Sequence, residues 1–106
     1  MLRQRRRYLV FELESENAPG LIQARDLMGE ITSCQLSLFG DEGAAKNRIK
    51  LICFDGRVGL IRFSHLHLRE TRAALAAVFS VRGVRAAIRT KGVSGTIKSA
   101  REKYLP

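Results

Sequence analysis

Apolar and polar residues alternate from Tyr8 to Glu14, with Leu9, Phe11 and Leu13 on one side and Tyr8, Val10, Glu12 and Glu14 on the other. That period of two predicts a strand with one buried side. Asn17-Ala18-Pro19-Gly20 predicts a turn and a helix start, because Asn caps and proline is tolerated in a first turn. Leu21, Ala24, Met28, Ile31, Cys34 and Leu38 then recur every three or four residues, predicting a helix of about five turns. Gly40 ends it, and 40–47 reads as a loop. Ile49–Phe54 and Val58–Phe63 read as strands joined by Asp55-Gly56, a dipeptide that suits a type I′ hairpin. In the second of them Val58, Leu60 and Arg62 face one way, and Gly59, Ile61 and Phe63 the other. Leu68–Phe79 predicts a helix lined by Leu68, Leu75, Val78 and Phe79, with alanines raising its propensity. Val84–Thr90 predicts a strand with Arg85, Ala87 and Arg89 opposite Val84, Ala86 and Ile88. Gly92–Thr96 then leads into a short last helix carrying Ile97, Ala100 and Tyr104.

The order β-α-β-β-α-β, with one further helix, defines an α+β class. It is the ferredoxin-like, RRM-like split βαβ: a four-stranded antiparallel sheet, two helices on one face, and an extra C-terminal helix. The second face is open or covered by something else. At 106 residues the chain is read as a single domain, 1–106, opening with a basic arm over 1–7.

Charge changes the picture. Nineteen Lys and Arg against ten Asp and Glu leave +9. A small chain this basic points to a polyanion, nucleic acid before an acidic membrane surface. No run approaches the about 20 apolar residues of a membrane span, so no membrane partner is expected. The basic start is followed by too short an apolar stretch, and by Glu12, Glu14 and Glu16, to be a signal peptide. Cys34 and Cys53 are expected to be buried free thiols of a cytosolic protein, giving a cytoplasmic localisation. Strong metal and nucleotide motifs are absent from the sequence.

Candidate chemistry concentrates in Lys91-Gly92-Val93-Ser94-Gly95-Thr96-Ile97-Lys98, where a strand passes into a helix. Free N–H groups and the positive end of a helix dipole favour a phosphate there, and Ser94 and Thr96 offer hydroxyls. A plain helix cap with a glycine turn fits the same residues. The wider basic pattern comprises Arg5, Arg6 and Arg7 in the arm, Arg85, Arg89 and Lys91 on the last strand, and Lys98, Arg101 and Lys103 on the last helix. Tyr8 and Phe63 could stack bases as in RNA-recognition modules, though core packing suits Phe63 better. His65 and His67 lack the company a metal site needs. A solvated strand end suits Glu12, Glu14 and Glu16 better than a Mg²⁺ site.

Several blocks together resemble a family, component 2 of archaeal ribonuclease P. The blocks are Arg6-Arg7-Tyr8-Leu9-Val10-Phe11, Phe39-Gly40-Asp41-Glu42-Gly43-Ala44, Leu51-Ile52, Gly59-Leu60-Ile61-Arg62, Val84-Arg85 and, sharpest, Gly92-Val93-Ser94-Gly95-Thr96-Ile97-Lys98. They span nearly the whole chain. The resemblance implies a non-catalytic protein subunit that binds and activates the catalytic RNA for removal of 5′ leaders from precursor tRNA. It implies no cofactor bound by the protein, with Mg²⁺ on the RNA, and no catalytic residue of its own. Implied partners are ribonuclease P RNA, precursor tRNA as holoenzyme substrate, component 3, and a second copy of this chain within a heterotetramer. Carried over by position, Ser94, Gly95, Thr96 and Lys98 become RNA contacts, together with Arg7, Arg62 and Arg85.

Three other classes compete. A generic RNA-binding or ribosomal module shares the charge. An ACT-like small-molecule regulatory domain shares the element order and a loop like Glu16–Leu21, but needs neither the +9 nor the 92–98 block. An acylphosphatase-type enzyme would need an arginine within Ser15–Gly20, where none stands.

Overall fold

Leu9, Phe11 and Leu13 make β1 (Arg6–Ser15) the strand around which everything else is built. The computed structural model describes residues 5–16 and 22–105; the turn expected at 17–20, Leu21, the loop compared with ACT domains beyond Glu16, and the first residues of the basic arm lie outside them. After β1 come α1 (Ala24–Asn47), β2 (Lys50–Phe54), β3 (Val58–Ser64), a short 3₁₀ turn (His65–His67), α2 (Leu68–Ala76), β4 (Ser80–Val81), β5 (Val84–Ser94) and α3 (Ile97–Tyr104). The sheet order is β2-β3-β1-β5-β4, and every neighbour is antiparallel. This is the split βαβ, with β4 added at one edge.

That fifth strand replaces the end of the expected helix. Arg82 and Gly83 both adopt positive φ (50° and 79°), the requirement of a two-residue type I′ turn. The turn lays Ser80–Val81 against Arg85 and Val84, so α2 stops at Ala76 and leaves Phe79 74% exposed. At Asp55-Gly56 the expected type I′ turn is not formed. Only Gly56 has positive φ (100°), at the first central position, as a type II′ turn requires.

The loop expected over 40–47 is helical apart from Gly40, whose φ of 71° breaks α1 in two. Asn47 Nδ2 donates to Gln35 Oε1 at 3.3 Å, and both side chains are buried. In a straight helix residues twelve apart would lie about 18 Å apart along the axis. The contact therefore requires the second segment to fold back at Gly40.

Two cores flank the sheet. Leu27 and Ile31 of α1 and Leu75 of α2 cover Leu9, Phe11, Ile61 and Phe63. On the opposite face Ala100 of α3 closes over Val10 and Leu60, edged by Tyr8, Ile97 and Tyr104. The expectation of one buried side for β1 is thus corrected, since Val10 is as inaccessible as Leu9. The thiols also differ from expectation. Cys53 is exposed and Cys34 half-buried, and both are free. Burial, then Glu30, pushes the Cys34 thiol up.

The β2–β3 turn carries a pH dependence. Asp55 Oδ1 accepts from the backbone N–H of Val58 (2.7 Å) and of Arg57 (2.9 Å). Those two bonds hold its carboxyl below the usual range. A folded-state value below the unfolded value, about 3.9, means the stabilisation is present above that pH and is lost as pH falls through the folded value. Asp55→Ala is expected to flatten that part of the stability profile below about pH 4, measured by urea unfolding across pH, with a small effect because the group is exposed.

Candidate nucleic-acid interface

Register decides which cations stand together. Lys50 pairs with Arg62, Arg62 with Tyr8, and Tyr8 with Ser94. Residues directly opposite on neighbouring strands share a face, so these four form one row across the sheet. Tyr8 places that row on the α3 side. Arg6, two residues before Tyr8 and opposite Ser64, extends it outward. α3 begins just past Ser94, and Lys98 lies exposed in its first turn. Arg7 alternates to the other face, opposite Phe63. Arg5 is exposed, and its carbonyl accepts from the His65 N–H (3.1 Å) and from His65 Nδ1–H (2.8 Å).

At the far end of β1 the charges are already matched. Glu12, 14% exposed, sits 3.5 Å from Arg57, 3.6 Å from Arg89 and 4.0 Å from Lys91. Arg89 also reaches Glu14 (3.7 Å), and Arg85 reaches Glu16 (3.9 Å). These carboxylates face β5 because Glu12 pairs with Arg89 and Glu14 with Ala87. Lys91 joins them through a register shift between Val10 and Phe11 that leaves it unmatched between Thr90 and Gly92. An extra residue of this kind re-aims side chains and strengthens the local twist. It lets Lys91 and Gly92 both turn toward α3.

The basic residues singled out from the sequence therefore fall into two groups. Arg85, Arg89 and Lys91 stand among carboxylates. Among the described residues, Arg5, Arg6, Arg7, Arg62, Lys98 and Arg101 make no ion pair within 4.0 Å, and Arg6, Arg62 and Lys98 lie around one end of the sheet. Lys50 belongs with them and escaped the sequence reading, since its partner on β3 could be known only from the register. Glu12, expected to belong to a solvated strand end, is instead largely covered at 14% exposure and is the hub of the matched end, because three cations close over it.

The 92–98 block divides by role. Gly92 and Ser94 lie within β5 instead of a loop, and Ser94 is only 5% exposed. A Cβ at Gly92 would fall inside the Tyr104 ring, so the missing side chain is what lets α3 lie flat on the strand. Thr96 is the N-cap of α3, its hydroxyl accepting from the Ser99 N–H at 3.1 Å. Gly95 and Lys98 remain exposed. Much of the block seats the helix, and the cations beside it remain for a ligand. Gly92→Ala is expected to displace Tyr104 and cost about 1–3 kcal/mol, read from urea unfolding.

Phe63 is fully buried in the main core and offers no stacking surface. His67 Nδ1 lies 3.2 Å from Ser64 Oγ. Among the described residues no three His, Cys, Asp or Glu side chains are grouped to hold a metal ion, and no helix is long and apolar enough to cross a membrane.

The fold is shared with a chain in the cryo-EM structure of yeast ribonuclease MRP, with a TM-score of 0.72 over 91% of this chain and 78% of that one. At 10% identity this defines the class of fold alone. Sequence goes further. The chain is 42% identical over 104 residues to ribonuclease P protein component 2 of Methanosarcina acetivorans, covering 98% of this chain and 76% of that protein. It is 39% identical to the protein of that name from Archaeoglobus fulgidus, covering 98% and 92%. The model of the Rpp14/Pop5 family matches residues 7–105, and the chain belongs to that family.

Proposed function

We propose that this chain is a non-catalytic subunit of ribonuclease P that binds the catalytic RNA and promotes endonucleolytic removal of 5′ leaders from precursor tRNA. The observation that carries the proposal is the charge at one end of the sheet: Arg6, Lys50 and Arg62 share the cross-strand rows that lead to Ser94, just before α3 and Lys98, and among the described residues none of these four cations has a carboxylate within 4.0 Å. Phosphate contacts of this kind position an RNA without reading its sequence, so the RNA's fold would supply the specificity. Mg²⁺ belongs to the RNA on this reading, and the protein holds no cofactor. Component 3 and a second copy of this chain are the proposed protein partners, and the cytoplasm the proposed compartment.

Reconstitution tests the proposal. Ribonuclease P RNA, component 3 and precursor tRNA are assayed for leader removal with and without this chain. Faster cleavage only in its presence supports the reading. Unchanged cleavage with salt-sensitive binding to structured RNA would move the protein to another RNA assembly.

A further inference from the structure

Among the described residues only two besides glycines take positive φ, and both are arginines, Arg48 (52°) and Arg82 (50°). A Cβ disfavours that conformation, so such positions normally go to glycine or asparagine. Arg82 has a use inside the protein, since its guanidinium lies 3.5 Å from Asp26. Arg48 has none. It follows the last residue of α1, and its backbone N–H closes the helix on the Ala45 carbonyl at 3.3 Å. Glycine makes that bond at helix ends with no side chain at all. The Arg48 side chain is exposed and, among the described residues, has no carboxylate within 4.0 Å. A cation at a helix C-terminus interacts favourably with the dipole, but Lys46 in the last turn already fills that role.

The neighbouring residues fix where this charge stands. Asn47 is buried and bonded to Gln35, and Ile49 packs against the main core. Lys46, Arg48 and Lys50 alternate with them and are all exposed. None of the three is in an ion pair among the described residues. Lys50 opens the cross-strand row that continues through Arg62 to Tyr8 and Ser94. Two residues of chain span no more than about 7 Å, so the Arg48 backbone lies beside the end of that row. Unmatched positive charge therefore runs on from β3, over the outer strand β2, to the end of α1.

We propose that Arg48 is a contact for the RNA backbone, and that with Lys46 it carries the bound RNA past the β2 edge onto the end of α1. Glycine would serve the turn better, so the arginine is retained for a guanidinium that only a ligand outside the protein uses. An exposed residue held in an unfavourable conformation that the fold does not need points to function. Phosphate is the group that fits, because the arginine fork binds its oxygens in pairs. Three successive cations with no carboxylate among them suit a chain of anions. This inference rests on the RNA reading of the sheet end and extends that site.

Arg48→Gly is the test, because it moves stability and binding in opposite directions. Relief of the positive φ is expected to raise Tm by about 3–6 °C. Loss of the contact is expected to lower affinity for ribonuclease P RNA about three- to tenfold, and the slope of log K against log salt by about 0.7. Arg48→Lys keeps both the charge and the positive φ, and should hold affinity within about threefold at an unchanged Tm. Arg82→Gly removes the same charge where Asp26 matches it, and should change the slope less than half as much. Arg62→Ala with Lys98→Ala is measured alongside. An unaltered slope for Arg48→Gly, while that pair lowers it, would overturn the Arg48 contact and leave the sheet-end reading standing. Unaltered binding in both would overturn both. A lower Tm for Arg48→Gly would show that the arginine serves the helix end, and an equal loss of slope in Arg82→Gly would show that only net charge matters; either overturns the proposal.

Discussion

Arg62→Ala combined with Lys98→Ala is expected to lower affinity for ribonuclease P RNA roughly tenfold or more at moderate salt. It should also reduce the slope of log K against log salt by about 1.4, two phosphates at about 0.7 each for single strands. The two residues stand on different elements, β3 and α3, yet both belong to the end of the sheet where no carboxylate is paired with a cation. Neither side chain is engaged in an ion pair among the described residues, so alanine removes charge without stranding a partner. Arg85→Ala with Arg89→Ala removes the same formal charge from a place where Glu12, Glu14 and Glu16 already offset it. That control is expected to change the slope by less than half as much. Filter-binding or fluorescence titrations across salt separate the two. An equal or larger change from the β5 pair would place the RNA along β5 and displace the proposed interface.

The alternation and helical spacing that predict β1, β3 and α1 come from residues whose burial is decided within the element, which is why Leu9, Phe11, Ile31 and Phe63 are legible as core. The departures occur where a distant partner decides. β4 exists because Arg82-Gly83 can hold two positive φ values and β5 was free to pair. The helical segment after Gly40 is settled by a buried Asn47–Gln35 contact that no local propensity encodes. The strand signal at Gly92 is hidden by the glycine itself, whose reason lies in the ring of Tyr104 twelve residues on. The candidate site was half legible. Its residue types stood out as surplus positive charge, but which cations are matched depended on cross-strand register, and that emerged only when Glu12 was placed opposite Arg89.

Ala100→Arg is the most damaging single change expected outside the main core. Ala100 has no accessible surface and lies against Val10 and Leu60. An arginine there must either bury an unpaired charge or lift α3 from the sheet. The first alternative costs several kcal/mol. The second is cheaper, but it forfeits α3 itself, because eight residues are too few for a helix to persist alone in water. Detachment therefore unfolds α3 and exposes Val10 and Leu60 together. A loss of about 3 kcal/mol is expected, corresponding to a fall of roughly 10–20 °C in Tm for a domain of this size. Trypsin should then cut after Arg101 and Lys103 well before the rest of the chain. RNA affinity should fall with it, since Lys98 keeps its charge but loses its fixed place at this end of the sheet. Ala100→Gly separates the causes: it weakens the helix by about 1 kcal/mol without forcing it off the sheet, so tryptic protection should persist. An unchanged Tm and protected Arg101 in Ala100→Arg would mean that α3 does not rest on Val10 and Leu60. The cations around its first turn would then have no common scaffold.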